Sequence, residues 1–142
     1  AAEYRIARDG TVLPDPVATP GAVFPEVPLT RLCKVGYTDT VRNVPDRVSE
    51  AVYRAYGARW RKGRCCEMDH LIPLGIGGSN DPKNLWPQPW TPTPAARQKD
   101  VLELYLRREV CAGRMRLRDA QESIRGDWTK ARDRMERERA GR

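Results

Sequence analysis

Apolar residues in the middle of the chain recur three or four positions apart, which is the spacing of one face of a helix. Val48, Val52 and Ala55 show this spacing, and Gly57 can adopt the left-handed conformation that often ends a helix. We therefore predict a helix over about 46 to 56. Asp46 is its expected N-cap, because a carboxylate there can accept from the first free backbone amides.

A second helical pattern follows Thr93 and Pro94, a capping residue and a proline suited to the first position of a helix. It predicts a helix over about 94 to 112, and a shorter one follows over about 117 to 126. Residues 129 to 142 are rich in arginine and glutamate, so we expect a solvated extension or disorder with no contribution to the core. The side chains expected to face the core are Val101, Leu102, Leu104, Tyr105 and Val110, then Leu117, Ala120 and Ile124.

The segments before residue 94 also show turn and strand signals. Prolines recur between residues 13 and 28, and because they fix φ and remove backbone donors, this stretch is expected to be an extended arm. Residues 65 to 71 are strand-like, and Gly75, Gly77 and Gly78 indicate a turn before the next apolar segment. These signals predict a hairpin with a long glycine-rich loop.

The chain of 142 residues fits one domain. We divide it into an extended arm over 1–30, an α+β domain over 31–128 and a charged tail over 129–142. No apolar run approaches the roughly 18 residues that a bilayer span needs, so no membrane association is expected. We take the protein to be a monomer.

Charge favours a polyanionic partner. Lys and Arg number 26 against 19 Asp and Glu, a formal net charge of +7, and nucleic acid is the leading candidate. Excess arginine that only maintains solubility is the alternative. Cations surround Trp60 in a segment that could follow a phosphate backbone or be a solvated loop. The candidate nucleic-acid-binding residues in it are Arg59, Arg61, Lys62 and Arg64.

Four cysteines, Cys33, Cys65, Cys66 and Cys111, suit two disulfides in an oxidising compartment. A zinc site is the rival, although no C-x2-C pair is present, and buried free thiols are a third reading. Adjacent cysteines strain to bond each other, so we expect Cys65 and Cys66 to reach Cys33 and Cys111, in an order that the sequence leaves open. The opening Ala-Ala-Glu would suit an end left by removal of an export signal, which favours a secreted or periplasmic location over a cytoplasmic one.

The segment with the most specific chemistry reads EMDHLIPLGIGGSNDPKNLW, from Glu67 to Trp86. It resembles the HNH endonucleases, particularly small bacterial members with a core like D-H-x-x-P-L-x-x-G-G-S-N followed by N-L-W-P-Q-P. The resemblance is strongest over about 65 to 90. It implies a ββα-metal core, and in such relatives a secreted or periplasmic location is common.

The resemblance also implies roles for three residues. His70 would take a proton from the attacking water, a role that suits an imidazole with a pKa near neutrality. Asp69 would bind a divalent ion, Mg²⁺ in the first place and Mn²⁺ or Zn²⁺ as alternatives, because a carboxylate suits a hard cation. Asn84 corresponds to the middle letter of HNH and would hold the histidine backbone in place.

The third position of the motif departs from the pattern. Relatives usually place a histidine or asparagine ligand there, and this chain offers Ala95 and the residues that follow it. By helical spacing Gln98 and Lys99 lie on the side of Ala95, so Gln98 could be a metal ligand and Lys99 could neutralise phosphate. Glu67 lies two residues before Asp69, on the same face of a strand, and is a further candidate ligand.

The sequence therefore predicts a metal-dependent endonuclease that acts on nucleic acid, DNA favoured over RNA, with little sequence preference. Two alternatives from other classes stay open at this point. One is a catalytically inactive HNH-fold module that binds nucleic acid. The other is a disulfide-stapled secreted domain whose partner is another protein.

Overall fold

The computed structural model of the chain describes residues 1–60, 65–91 and 95–141, and they form a mixed α+β fold. Within those ranges there are six helices and two antiparallel sheets of two strands each. The strands are β1 (Arg5–Ile6), β2 (Val12–Leu13), β3 (Cys66–His70) and β4 (Leu85–Pro89). The helices are α1 (Leu29–Leu32), α2 (Tyr37–Val41), α3 (Asp46–Ala55), α4 (Ala95–Cys111), α5 (Leu117–Arg125) and α6 (Trp128–Ala140).

The predicted hairpin is confirmed. Strands β3 and β4 pair antiparallel over their whole length, with Asp69 opposite Trp86 and His70 opposite Leu85. The loop between them contains two short 3₁₀ turns and uses its glycines in two ways. Gly77 has a φ of +88°, which favours glycine, and a Cβ on Gly78 would lie 1.7 Å from the carbonyl oxygen of Ile72. The Gly-Gly pair therefore lets the loop fold back tightly onto the end of β3.

The predicted helices are confirmed as α3, α4 and α5, with ends within about one residue of those expected. Gly57 has a φ of +71° after α3, as predicted. Asp46 is not the cap of α3, because Pro45 holds that position and Asp46 is the first helical residue. Thr93 and Pro94 lie outside the described residues.

The core-facing side of α4 was predicted only in part. Leu102 and Val110 are buried, but Val101 and Leu104 are 46% and 49% exposed. Leu106 is buried instead, since it lies four residues from both Leu102 and Val110 along one helical stripe. The wrong assignments came from treating every apolar residue of the helix as part of one face.

The expectation that residues 129 to 142 contribute nothing to the core is wrong. Helix α6 begins at Trp128, and Trp128, Ala131 and Met135 are buried in the main cluster together with residues of α4 and α5. These three positions are spaced i, i+3 and i+7, so they form one face of a helix whose other residues are mostly charged. Because most residues of the segment are charged, its sequence pattern did not indicate this narrow apolar face.

The N-terminal arm lies against the domain. Beyond the β1/β2 hairpin, its backbone pairs with the glycine-rich loop, where Phe24 N–H donates to the carbonyl of Gly77 and Ser79 N–H donates to that of Ala22. The Tyr4 hydroxyl donates to the carbonyl of Pro87 in β4, at 2.6 Å. The arm therefore supports the loop that follows His70.

The cysteines are paired, but the predicted pairing is wrong. The disulfides join Cys33 to Cys111 and Cys65 to Cys66, and no cysteine of the chain is free. Cys33 follows α1 and Cys111 ends α4, and their Cα atoms lie 5.7 Å apart, well within disulfide range. Because the fold brings Cys33 and Cys111 together, the adjacent Cys65 and Cys66 pair with each other.

Candidate functional site

Asp69 and His70 are the last two residues of β3, and both are buried. Because side chains alternate along a strand, the two point to opposite faces of the hairpin. The Asp69 side meets helix α4, and the His70 side meets the glycine-rich loop and the end of α2. The candidate site therefore has two halves, which we describe in turn.

The Asp69 half is ionic. Asp69 Oδ2 accepts a hydrogen bond from Trp86 Nε1 at 2.7 Å and lies 2.9 Å from Lys99 Nζ. Lys99 Nζ also lies 2.5 Å from Glu103 Oε2 and donates to the carbonyl oxygen of His70 at 3.1 Å. The Lys99 side chain is only 1% exposed. One buried ammonium thus links both carboxylates to the end of β3.

Electrostatics explain why this ammonium keeps its charge. Burial opposes the charged form of Lys99, but the carboxylates of Asp69 and Glu103 outweigh that effect, and its pKa is raised. Burial also raises the pKa of Glu103. Lys99 is therefore an internal counter-ion for Asp69 and Glu103. The prediction that Lys99 neutralises a substrate phosphate does not fit this arrangement, because its ammonium is buried away from solvent.

Two further carboxylates lie around Asp69. Burial and the charges of Asp100 and Asp69 raise the pKa of Glu67, and burial and the charge of Asp69 raise the pKa of Asp100. Two carboxylates, Asp69 and Glu103, thus contact the buried ammonium, and two more, Glu67 and Asp100, lie within electrostatic range of it.

The donor set fits a Mg²⁺-type ion in its chemistry. No group of three His, Cys, Asp or Glu side chains is placed to hold a metal among the described residues. A site for Mg²⁺ does not need three, because this ion usually takes one or two carboxylates and completes its shell with water and phosphate oxygens. Asp69 and Glu67, on the same face of β3, supply oxygen ligands of that kind.

The predicted ligand Gln98 is not part of this half. Its Oε1 accepts a hydrogen bond from Arg132 of α6 at 2.9 Å, and Arg132 also pairs with Asp9 at 2.8 Å. Lys99 is the residue of this turn that reaches Asp69. Ala95, which occupies the expected third position of the motif, is buried in the apolar core.

The His70 half is neutral. His70 Nε2 lies 3.1 Å from Asn80 Oδ1, and Asn80 Nδ2 donates to the carbonyl of Val41 at 2.7 Å. Burial lowers the pKa of His70, and the nearby charge of Arg42 acts in the same direction. The ring is therefore neutral at neutral pH, which is the form that can accept a proton.

Asn84 lies behind both halves and is fully buried. Its Oδ1 accepts from Ile72 N–H at 2.9 Å, and its Nδ2 donates to the carbonyls of Ile72 and Ser79, each at 2.9 Å. The Asn84 carbonyl accepts from Leu71 N–H at 2.8 Å. These bonds hold the segment directly after His70 and reach Leu71 and Ile72 rather than His70 itself, so the orienting role of Asn84 stays a prediction.

The candidate nucleic-acid-binding residues are described only in part. Arg59 is exposed on the segment after α3. Arg61, Lys62 and Arg64 lie outside the described residues.

Sequence reasoning did not single out Asn80 or assign Glu103 and Trp86 to the site. Glu103 lies four residues after Lys99, a spacing that favours ion pairs on a helix and could have indicated this contact. Trp86 could be found only from the register of β3 and β4, and Asn80 only from the path of the loop.

Comparisons of this chain with protein-family models, with curated proteins and with solved structures gave no match. In the described part of the chain, no helix combines the length and apolar character needed to cross a membrane.

Proposed function

We propose that this protein is an HNH-type endonuclease that hydrolyses phosphodiester bonds of nucleic acid, with DNA favoured over RNA. One observation carries the proposal. The single histidine of the chain lies at the end of β3, is neutral at neutral pH, and is held by an amide on the loop that follows. A neutral imidazole fixed in this way is suited to act as a general base.

In the proposed reaction His70 removes a proton from a water molecule. The water oxygen then forms a bond to phosphorus while the bond from phosphorus to the 3′ oxygen breaks. The 3′ oxygen takes a proton from solvent, and His70 returns its own proton to solvent before the next cycle. Asn84 contributes by keeping the residues after His70 in one conformation.

A divalent cation, Mg²⁺ in the first place, would be held by Asp69 and Glu67. When bound, such an ion offsets the negative charge that develops on the phosphate oxygens. Lys99 and the Trp86 indole N–H both contact Asp69 Oδ2 and hold this carboxylate in one orientation. The chain's own residues thus fix the position of a carboxylate, the type of ligand that a hard cation prefers.

The ββα arrangement of the proposed family is supported by the order and packing of three elements. Hairpin β3/β4 carries Asp69 and His70, and α4 follows it in sequence and brings Lys99 against the strand end. Two disulfides support an oxidising compartment, secreted or periplasmic. The net charge of +7 supports nucleic acid as the partner.

One observation favours a second candidate, an inactive module that binds nucleic acid. Asp69 is already paired with a buried ammonium, and neither Ala95 nor Gln98 supplies a third ligand. Such a module would bind DNA and leave it intact.

Plasmid cleavage separates the two candidates. We expect the wild-type protein to nick plasmid DNA with Mg²⁺ or Mn²⁺ and to stop when a chelator is added. His70→Ala should reduce the single-turnover rate by roughly 10²- to 10⁴-fold while DNA binding and fold persist. Asp81→Ala is the matched control, because Asp81 lies in the same loop and caps a 3₁₀ turn without contacting His70.

Three outcomes would contradict the proposal. A folded His70→Ala protein that cuts at the wild-type rate removes His70 as the base. Binding without cleavage by the wild-type protein, with every metal tried, establishes the inactive module. Indifference to DNA at low salt favours the protein-interaction alternative, because a basic nucleic-acid-binding protein releases counterions and binds most tightly there.

A further inference from the structure

Asn80 lies where three separate segments of the chain meet. It follows the Gly77–Gly78 pair in the loop after β3, and its side-chain amide makes contacts on both of its polar atoms. Nδ2 donates to the carbonyl of Val41 at 2.7 Å. Oδ1 accepts from the backbone N–H of Asn43 at 3.2 Å and lies 3.1 Å from His70 Nε2. The end of α2 therefore holds this amide from two sides.

These two backbone contacts determine which way the amide faces. With the amide reversed, its oxygen would oppose the Val41 carbonyl and its NH₂ group would oppose the Asn43 N–H, and neither pair can form a hydrogen bond. The orientation of Asn80 is thus set by the backbone at residues 41 to 43 and does not depend on the imidazole.

An amide oxygen can only accept a hydrogen bond, so the atom facing it must donate. His70 Nε2 therefore carries the proton of the neutral ring, and Nδ1 carries the lone pair. Among the described residues, no hydrogen bond to Nδ1 is present, so this atom stays available as an acceptor.

We propose that Asn80 is a positioning residue that fixes His70 as the Nε2–H tautomer and thereby makes Nδ1 the atom that accepts the proton from water. The tautomer follows from the geometry alone. The assignment of Nδ1 as the proton acceptor rests on the proposed nuclease function. Asn80 itself touches no substrate in this scheme.

The tautomer can be measured without any assay of activity. Because the chain has one histidine, ¹⁵N-labelled protein gives a single set of imidazole signals in a long-range ¹H–¹⁵N correlation spectrum. At a pH where the ring is neutral, we expect Nε2 to show the shift of a protonated nitrogen and Nδ1 that of an unprotonated one. We also expect the Nε2-bound proton to be visible, because its hydrogen bond slows exchange with water.

Variants of Asn80 test whether its side chain fixes the tautomer of His70. Asn80→Ala should abolish the signal of the Nε2-bound proton through fast exchange. Asn80→Asp should restore that signal only in part, because it keeps an oxygen facing Nε2 but cannot donate to the Val41 carbonyl. The neighbouring Asp81→Ala variant should leave the spectrum of the ring unchanged. A wild-type ring protonated on Nδ1, or an Nε2-bound proton that survives Asn80→Ala, would overturn the proposal.

A cleavage assay then tests the assignment of Nδ1 as the proton acceptor. Asn80→Ala should lower kcat on the order of 10²-fold with little change in KM, the effect expected when a reacting group loses its alignment. An unchanged kcat in folded Asn80→Ala, with the tautomer signals lost, would overturn the assignment of Nδ1. If the wild-type protein cuts no DNA at all, the proposed function fails and with it the Nδ1 role, whereas the spectra still decide the tautomer.

Discussion

The two halves of the site differ in how their polar groups are satisfied, although they belong to adjacent residues of one strand. Asp69 forms an ion pair with a buried ammonium and accepts a hydrogen bond from an indole N–H, and further carboxylates lie nearby. His70 is neutral and is held by an amide whose own partners are backbone groups. Because side chains alternate along β3, a strongly charged environment lies on one face of the hairpin and a neutral one on the opposite face.

This difference shows how one dipeptide can place a carboxylate in an ion pair and an imidazole in a neutral environment. The ammonium of Lys99 pairs with Asp69, and burial together with the charge of Arg42 lowers the pKa of His70. The backbone carbonyl of His70 accepts a hydrogen bond from the same ammonium, so Lys99 contacts both halves of the site. The charge of Lys99 and its hydrogen bond to His70 can be tested separately.

The largest effect on stability is expected from Lys99→Met. This change keeps most of the side-chain volume but leaves Asp69 and Glu103 without their shared counter-ion. Breaking a buried ion pair by removing one partner typically costs about 3–5 kcal/mol. We expect the free energy of unfolding, measured by urea denaturation, to fall by that amount.

The double variant Lys99→Met with Asp69→Asn is the control. If the cost of Lys99→Met comes from an uncompensated carboxylate, removing the charge of Asp69 should recover part of it. Purely additive losses would show that Lys99 stabilises the fold through its packing and its bond to the His70 carbonyl.

A smaller loss is expected from Asn84→Ala. The change removes three buried side-chain hydrogen bonds, worth about 1 kcal/mol each, for a total of about 3 kcal/mol. Cleavage should fall as well, because the segment after His70 loses its anchor. Asn80→Ala, at a less buried position, should cost markedly less stability. Equal losses in the two variants would show that burial does not determine the cost of losing these amide contacts.

The smallest effect concerns the titration of His70. Its pKa should lie below the usual value of about 6.5, because burial disfavours the charged ring. The folded state then binds fewer protons than the unfolded state, so stability should decrease as the pH falls through about 6.5 and level off below the folded pKa. The charge of Asp69 raises this pKa, so Asp69→Asn should lower it further.

NMR titration of the single imidazole measures both values without a cleavage assay. Cleavage by the wild-type protein should rise with pH over the same range, since only the neutral ring can accept a proton. A His70 pKa above about 6.5 would contradict the expected effect of burial. A pKa that Asp69→Asn leaves unchanged would show that the two halves are electrostatically independent.

Much of the local structure could be predicted from residue patterns. The hairpin followed from Gly77 and Gly78, and helices α3 and α5 followed from apolar spacing. These features depend on short-range sterics and on burial of one face, so the sequence displays them directly. Helix α6 was misread because Trp128, Ala131 and Met135 are few among many charges, and their importance depends on what α4 and α5 bury against them.

The site could be predicted in outline only. Asp69, His70 and Asn84 are brought to one region, as the motif suggested, but their partners come from distant segments. The loop after β3 brings Asn80 into contact with residues 41 to 43, and Glu103 belongs to the site because it pairs with Lys99. The cysteine pairing failed for the same reason, since it depends on which helix ends meet. Nuclease activity, the metal and the nucleic-acid partner stay predictions.

The N-terminal arm has a consequence for how the chain reaches its native state. Asp9 pairs with Arg132 across 123 residues, and Arg5 donates to the Gly126 carbonyl across 121. Contacts this remote in sequence raise the contact order, which slows folding of small domains. During synthesis Asp9 and Arg5 are made more than a hundred residues before these two partners. The two contacts therefore cannot form until residues 126 and 132 have been translated, whereas the contacts of the arm with the glycine-rich loop and with β4 have partners that are made earlier.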